Sequence, residues 1–119
     1  MWEHWNSLKE DGSFWSKDMN SFNHYAYGAV YDWIFGVALG IAPAAPGYER
    51  VSLAPHPHKC LGYAEASIET AYGKIRSHWY YKGDQVYYEF DVPTGVAAEL
   101  RLPGGYTEVL SAGSYRFAE

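Results

Sequence analysis

NSFNHYAYGAVYDWIFGVALGI, residues 20–41, is the stretch whose reading decides the fold. Apolar side chains recur at Ala26, Val30, Trp33, Ile34, Val37 and Ile41, the three-and-four spacing of a helix. Asn20, Ser21 and Asn23 each offer a side-chain oxygen to the free amides of a first turn. Pro43 stops the pattern, because it lacks an N–H and restricts the residue before it. The expectation is one helix of about 20 residues, roughly 30 Å long. Its other face carries Tyr27, Tyr31, Phe35 and Leu39, and its only carboxylate is Asp32, read as structural and expected to have a hydrogen-bond or ion-pair partner. A helix apolar nearly all round belongs inside a large protein or a membrane. The uninterrupted run from Trp33 to Ala42 is well short of the ~20 residues a span needs. The helix therefore calls for neighbours on both sides, and the chain reads as a piece of something larger.

Beyond that stretch, 119 residues suit one domain-sized core, and 48% hydrophobic with 19% charged residues is a globular composition. The net charge of -5 argues against a nucleic-acid partner. One cysteine, Cys60, excludes an internal disulfide. The N-terminus shows no basic, apolar leader. Aromatic residues make up 18%, and flat rings with polar tips suit sugars as well as cores.

Before the helix, Glu10-Asp11-Gly12-Ser13 is turn chemistry. After it, residues 42–48 (APAAPGY) read as a connector, and the period changes to two. Segments 49–54, 63–70, 73–82, 85–92, 96–102, 107–111 and 114–118 read as short strands separated by Gly- and Pro-containing turns. Strands at this spacing predict an antiparallel β-sandwich.

The blocks Trp2-Glu3-x-Trp5, MNSFNHYAYG (19–28), PGYERVSLAPHP (46–57) and Tyr72-Gly73 followed by Ser77 and Trp79 resemble the C-terminal part of bacterial α-L-rhamnosidases, glycoside hydrolase family 78. The resemblance covers nearly the whole chain. It implies a mainly β fold with an N-terminal helical segment: residues 1–42 as the loop and last helix of an (α/α)6 catalytic barrel, and 46–119 as a C-terminal antiparallel β-sandwich. It also implies inverting hydrolysis of terminal α-L-rhamnose, with Glu3 as general base, His24 contacting the sugar, and the general acid upstream of this chain. In inverting enzymes the two carboxyls stand roughly 6.5–9.5 Å apart, leaving room for water. Asn6 departs from the Asp expected after the second Trp.

Taken as residues alone, Glu3 lies between two indoles that either desolvate it or stack on a sugar. His24 at a helix start favours a neutral ring, able to donate one hydrogen bond and accept another. Trp2 and Trp5 are candidates for a pocket wall, or else barrel core. His56-Pro57-His58 reads as a loop rather than a metal pair, so no metal and no cofactor is called for. His78, Tyr80 and Tyr88 read as a stripe on one sandwich face, more in keeping with a neighbouring domain than with a sugar. The expected partners are rhamnose-containing glycosides and the rest of the barrel, with no nucleic acid and no membrane. The orphan helix over 22–41 predicts self-association. The rival reading is a non-catalytic carbohydrate-binding or structural sandwich, with residues 1–42 as a docking helix.

Overall fold

The computed structural model describes residues 2–18 and 21–119, with Tyr27 described by its backbone only. The chain divides into two compact units, residues 1–32 and 33–119.

In the first unit, residues 2–18 form a loop. Leu8 bridges to Phe14 in antiparallel fashion around the expected turn. Asp11 closes that turn by accepting from the Ser13 backbone N–H (2.8 Å) and hydroxyl (2.6 Å). Ser7 is fully buried and returns both its N–H (3.2 Å) and its hydroxyl (2.9 Å) to the carbonyl of His4.

The helical stretch is shorter and less regular than its periodicity predicts. It runs as a 3-10 turn (Tyr25–Ala29), a single α turn (α1, Val30–Trp33) and a π turn (Ile34–Ala38). His24 occupies the cap position in extended conformation and makes no side-chain cap bond, so neither Ser21 nor Asn23 caps the segment; Asn20 lies outside the described residues. Asp32 is exposed rather than enclosed as a helix apolar on both faces implies. The helix does not reach Ile41. Leu39 donates to Ile34 O at 2.9 Å, the wide bond of a π turn. Gly40 then takes φ +68°, a left-handed exit that stops a helix. A Cβ at that position would meet the Ala54 carbonyl carbon at 2.1 Å, so glycine is required by space as well as by torsion.

Residues after Gly40 pass directly into strand. β1 (Ile41–Pro43) occupies what reads in the sequence as helix end and connector, and a 3-10 turn follows at Pro46–Tyr48. β2 (Arg50–Leu53), β3 (Tyr63–Thr70), β4 (Gly73–Lys82), β5 (Gln85–Val92), β6 (Ala97–Arg101), β7 (Thr107–Leu110) and β8 (Gly113–Ala118) fall within about a residue of the segments the alternation predicts. They form two four-stranded sheets, ordered β1-β2-β6-β7 and β3-β4-β5-β8. All pairings are antiparallel except β2 with β6, where Arg50 to Leu53 lie beside Ala97 to Leu100 in parallel. Parallel neighbours need a crossover, and here the whole second sheet except β8 is built between them.

One core joins the sheets. Val51, Leu53, Ala98, Leu100 and Leu110 meet Ile75, Trp79, Tyr88, Phe90 and Val92, and Leu39 and Ile41 belong to the same cluster. Strand β5 alternates cleanly, with Val86, Tyr88, Phe90 and Val92 inward and Tyr87, Glu89 and Asp91 half-buried on the outer face. No helix among the described residues is long and apolar enough to cross a membrane.

Candidate functional site

Glu3 and His24 lie 22 and 33% exposed and come together within the first unit, Glu3 Oε2 standing 4.0 Å from His24 Nδ1. The sequence separates them by the turn at residues 10–13, and two contacts bring them side by side. The Glu3 backbone N–H donates to Ser21 O at 2.8 Å. One residue away on each segment, the Trp2 and Phe22 rings meet edge-on, centroids 5.1 Å apart at 87°. This edge-to-face arrangement suits the ring quadrupoles. Phe22 also contacts Phe14, at 5.7 Å. His24 sits just ahead of the 3-10 turn, at its cap position, one step outside the helix start the sequence predicts.

The arrangement places a carboxylate and an imidazole at one partly accessible spot, neither sealed in a core nor fully in solvent. A carboxylate so held can accept a proton, and an imidazole beside it can donate to or accept from a hydroxyl. The two tryptophans differ. Trp2 is 44% exposed with one edge against Phe22, whereas Trp5 is fully exposed at 102%, so it fills no core among the described residues. Ser21 and Phe22, which hold Glu3 and Trp2, stand inside the quoted sequence block; their role is a matter of contact and has no residue-type signature.

A second group of polar residues covers the outer face of the β3-β4-β5-β8 sheet. Arg76 donates to Glu65 at 2.7 Å and stands 3.5 Å from both Glu89 and Asp91; Glu89 is also 3.4 Å from His78 and from Arg116. The hydrogen bond from Arg76 holds the Glu65 carboxyl below its ordinary value of 4.5. Burial opposes ionisation of Glu89, but its bonds with His78, Arg116 and Arg76 outweigh burial and lower it too. Beside this network Tyr80 stacks on Tyr87 (5.4 Å, 10°) and tilts against His78 (5.0 Å), with Lys82 5.4 Å from both tyrosine rings. The expected stripe is corrected in one member. Tyr88 points into the core, where burial and the Glu119 carboxylate push its hydroxyl well above the usual phenol range. Tyr87 takes its place outside, because side chains alternate along β5. Since the Tyr80 and Tyr87 rings face each other, the row offers edges rather than an open flat platform.

In the 56–58 loop, His58 Nδ1 accepts from the Cys60 backbone N–H at 3.2 Å. Among the described residues no three His, Cys, Asp or Glu side chains are grouped to hold a metal ion.

Two family models match the chain. Residues 40–116 fit the bacterial α-L-rhamnosidase C-terminal domain, and residues 1–38 the bacterial α-L-rhamnosidase six-hairpin glycosidase domain. An α-L-rhamnosidase of Formosa agariphila is 38% identical over 117 residues, which is 98% of this chain and 13% of that protein. One of Streptomyces avermitilis is 35% identical over 91% of this chain and 10% of its own length. The crystal structure of the Streptomyces avermitilis α-L-rhamnosidase complexed with L-rhamnose matches with a TM-score of 0.83 at 31% identity, covering all of this chain and 13% of that one. The native α-L-rhamnosidase of Aspergillus terreus gives a TM-score of 0.84 at 32% identity, over 99% of this chain and 14% of its own. The chain therefore spans about an eighth of the length of these relatives, and it belongs to the bacterial α-L-rhamnosidase family.

Proposed function

We propose that this chain is the C-terminal part of an inverting α-L-rhamnosidase, contributing the end of the catalytic barrel and the terminal sandwich. The observation that carries the reading is the Glu3–His24 pair, 4.0 Å apart on two segments that a backbone hydrogen bond ties together. Glu3 acts as general base: its carboxylate takes a proton from water as that water attacks the anomeric carbon, and a carboxylic acid upstream of this chain protonates the departing oxygen. His24 hydrogen-bonds a hydroxyl of the sugar, and Trp2 and Trp5 wall the pocket. The substrate is a terminal α-L-rhamnoside. Because only one carboxylate of the pair lies here, the 119-residue chain alone releases no rhamnose. Residues 1–42 belong to the barrel end and 46–119 to the sandwich; the family-model matches over 1–38 and 40–116 support a seam near the end of the helical segment.

Glu3→Gln in the full-length enzyme tests the assignment on an aryl α-L-rhamnoside, with NMR reporting the anomer released first. A loss of turnover of about 10²–10⁴-fold is expected, with the β-anomer as first product of the unaltered enzyme. Unchanged turnover in Glu3→Gln, or the α-anomer first, overturns the reading.

The chain on its own also self-associates through the exposed helical residues. Support comes from Val30, Tyr31 and Trp33, large apolar side chains that are 48, 62 and 51% exposed.

A further inference from the structure

We infer that Phe22 is a positioning residue for the Glu3–His24 pair; the inference rests on the rhamnosidase reading above. Residues 2–4 have no regular secondary structure, so the place of the Glu3 carboxylate depends on whatever holds that backbone. The Glu3 N–H to Ser21 O bond is one such hold, and a single hydrogen bond acts as a pivot. The Phe22 ring supplies the second. It meets Trp2 edge-on at 5.1 Å and Phe14 at 5.7 Å, so it lies between the residue preceding Glu3 and the far side of the 10–13 turn. Phe14 is itself fixed by its bridge to Leu8. Among the described residues, residues 2–4 are also held on the loop side, where Ser7 bonds to the His4 carbonyl and the His4 and Trp15 rings stand 5.1 Å apart. The Phe22 contact and the Ser21 bond, one residue apart on each segment, tie them to the segment that carries His24. His24 follows Phe22 by two residues, so the same ring sets the span between base and imidazole. Phe22 has no polar atom to offer a substrate; it acts on the reaction only through Trp2 and Glu3.

The consequence is a kcat effect, because binding groups remain while the base drifts. A displacement of about 1 Å at a reacting group costs up to about 10²-fold. Phe22→Leu keeps apolar bulk but removes the ring edge and face, and Phe22→Tyr keeps the ring. In the full-length enzyme, Phe22→Leu is expected to lower kcat by about ten- to a hundredfold with KM changed less than about threefold, and Phe22→Tyr to restore most of it. In the 119-residue chain, hydrogen exchange at the Glu3 amide is expected to quicken in Phe22→Leu, while sandwich amides keep their protection.

Equal kcat in Phe22→Leu and the unaltered enzyme, alongside a dead Glu3→Gln, overturns the role of Phe22 and leaves the base assignment standing. An active Glu3→Gln overturns the assignment itself. If Phe22→Leu melts lower and loses kcat, and Phe22→Tyr restores the melting point without restoring kcat, the ring serves stability alone and the inference fails.

Discussion

Trp79 donates its indole N–H to the carbonyl of Ala38 at 2.7 Å, across 41 residues of chain, and both groups are buried. The neighbouring inward residue of β4, Ser77, donates its hydroxyl to Leu39 O at 2.8 Å. His56 N–H lies 3.2 Å from Val37 O and 3.3 Å from Ala38 O, and Ala54 N–H donates to Gly40 O at 2.9 Å. A helix end leaves its last carbonyls without internal partners. Here the carbonyls of residues 37–40 are all satisfied by the sandwich, so the sheets serve as the cap of the π turn Ile34–Ala38.

Removing the Ser77 hydroxyl takes its donor from the buried Leu39 carbonyl, and removing the Trp79 indole leaves Ala38 O with the longer 3.3 Å bond from His56 N–H. Ser77→Ala is expected to cost about 1–3 kcal/mol, and Trp79→Phe at least as much because volume is lost as well. Each lowers the melting temperature by roughly 5–15 °C, read by circular dichroism. Because the two donors serve adjacent carbonyls, the double variant should depart from additivity. Singly unchanged melting points would show that the carbonyls find water instead.

Gly40 and Gly36 make a matched pair four residues apart. Gly40→Ala places a Cβ 2.1 Å from backbone of Ala54 at positive φ, so the chain either loses more than about 3 kcal/mol or fails to fold. Gly36→Ala meets nothing within 4 Å inside the helical segment and should gain about 0.5–1 kcal/mol. Thermal melts of both variants check the contrast, and a tolerated Gly40→Ala would contradict the close approach of residues 40 and 54.

Acid should loosen the outer face of the β3-β4-β5-β8 sheet. The carboxyls of Glu65 and Glu89 are held below their ordinary value of 4.5 in the folded chain. A depressed carboxyl contributes stability above its unfolded pKa and loses it as pH falls through the folded one. The melting temperature is therefore expected to hold from pH 7 to about 5.5 and to fall below about 4.5. Arg76→Gln, which removes the bond to Glu65 and the neighbours of Glu89 and Asp91, should flatten that fall. An equally steep profile in Arg76→Gln would place the titration elsewhere.

Self-association has a direct reading in light scattering coupled to size exclusion. The chain is expected to elute as a dimer or larger, and Trp33→Glu or Tyr31→Glu to shift it toward monomer, since each puts a charge on an exposed apolar side chain. A clean monomer at high concentration would overturn the proposal.

The strands were legible because alternation carries their phase: Val86, Tyr88, Phe90 and Val92 against Gln85, Tyr87, Glu89 and Asp91. The same alternation held the signal that Tyr88 faces inward, which a reading by aromatic content alone passes over. Glu3 and His24 were legible only through the family resemblance, since a carboxylate between two indoles and a histidine before a helix are common patterns. What the sequence by itself determined is therefore local: strand phases, turn positions and the family blocks, each fixed by residues close in the chain. Tertiary structure decided the rest. The apolar period continues through Ile41, but Leu39 and Ile41 enter the sandwich core and Gly40 turns left-handed against Ala54. The parallel pairing of β2 with β6 and the meeting of Glu3 with His24 also belong to it. All depend on partners dozens of residues away or across a turn, and where a helix ends follows from which distant donors meet its last carbonyls.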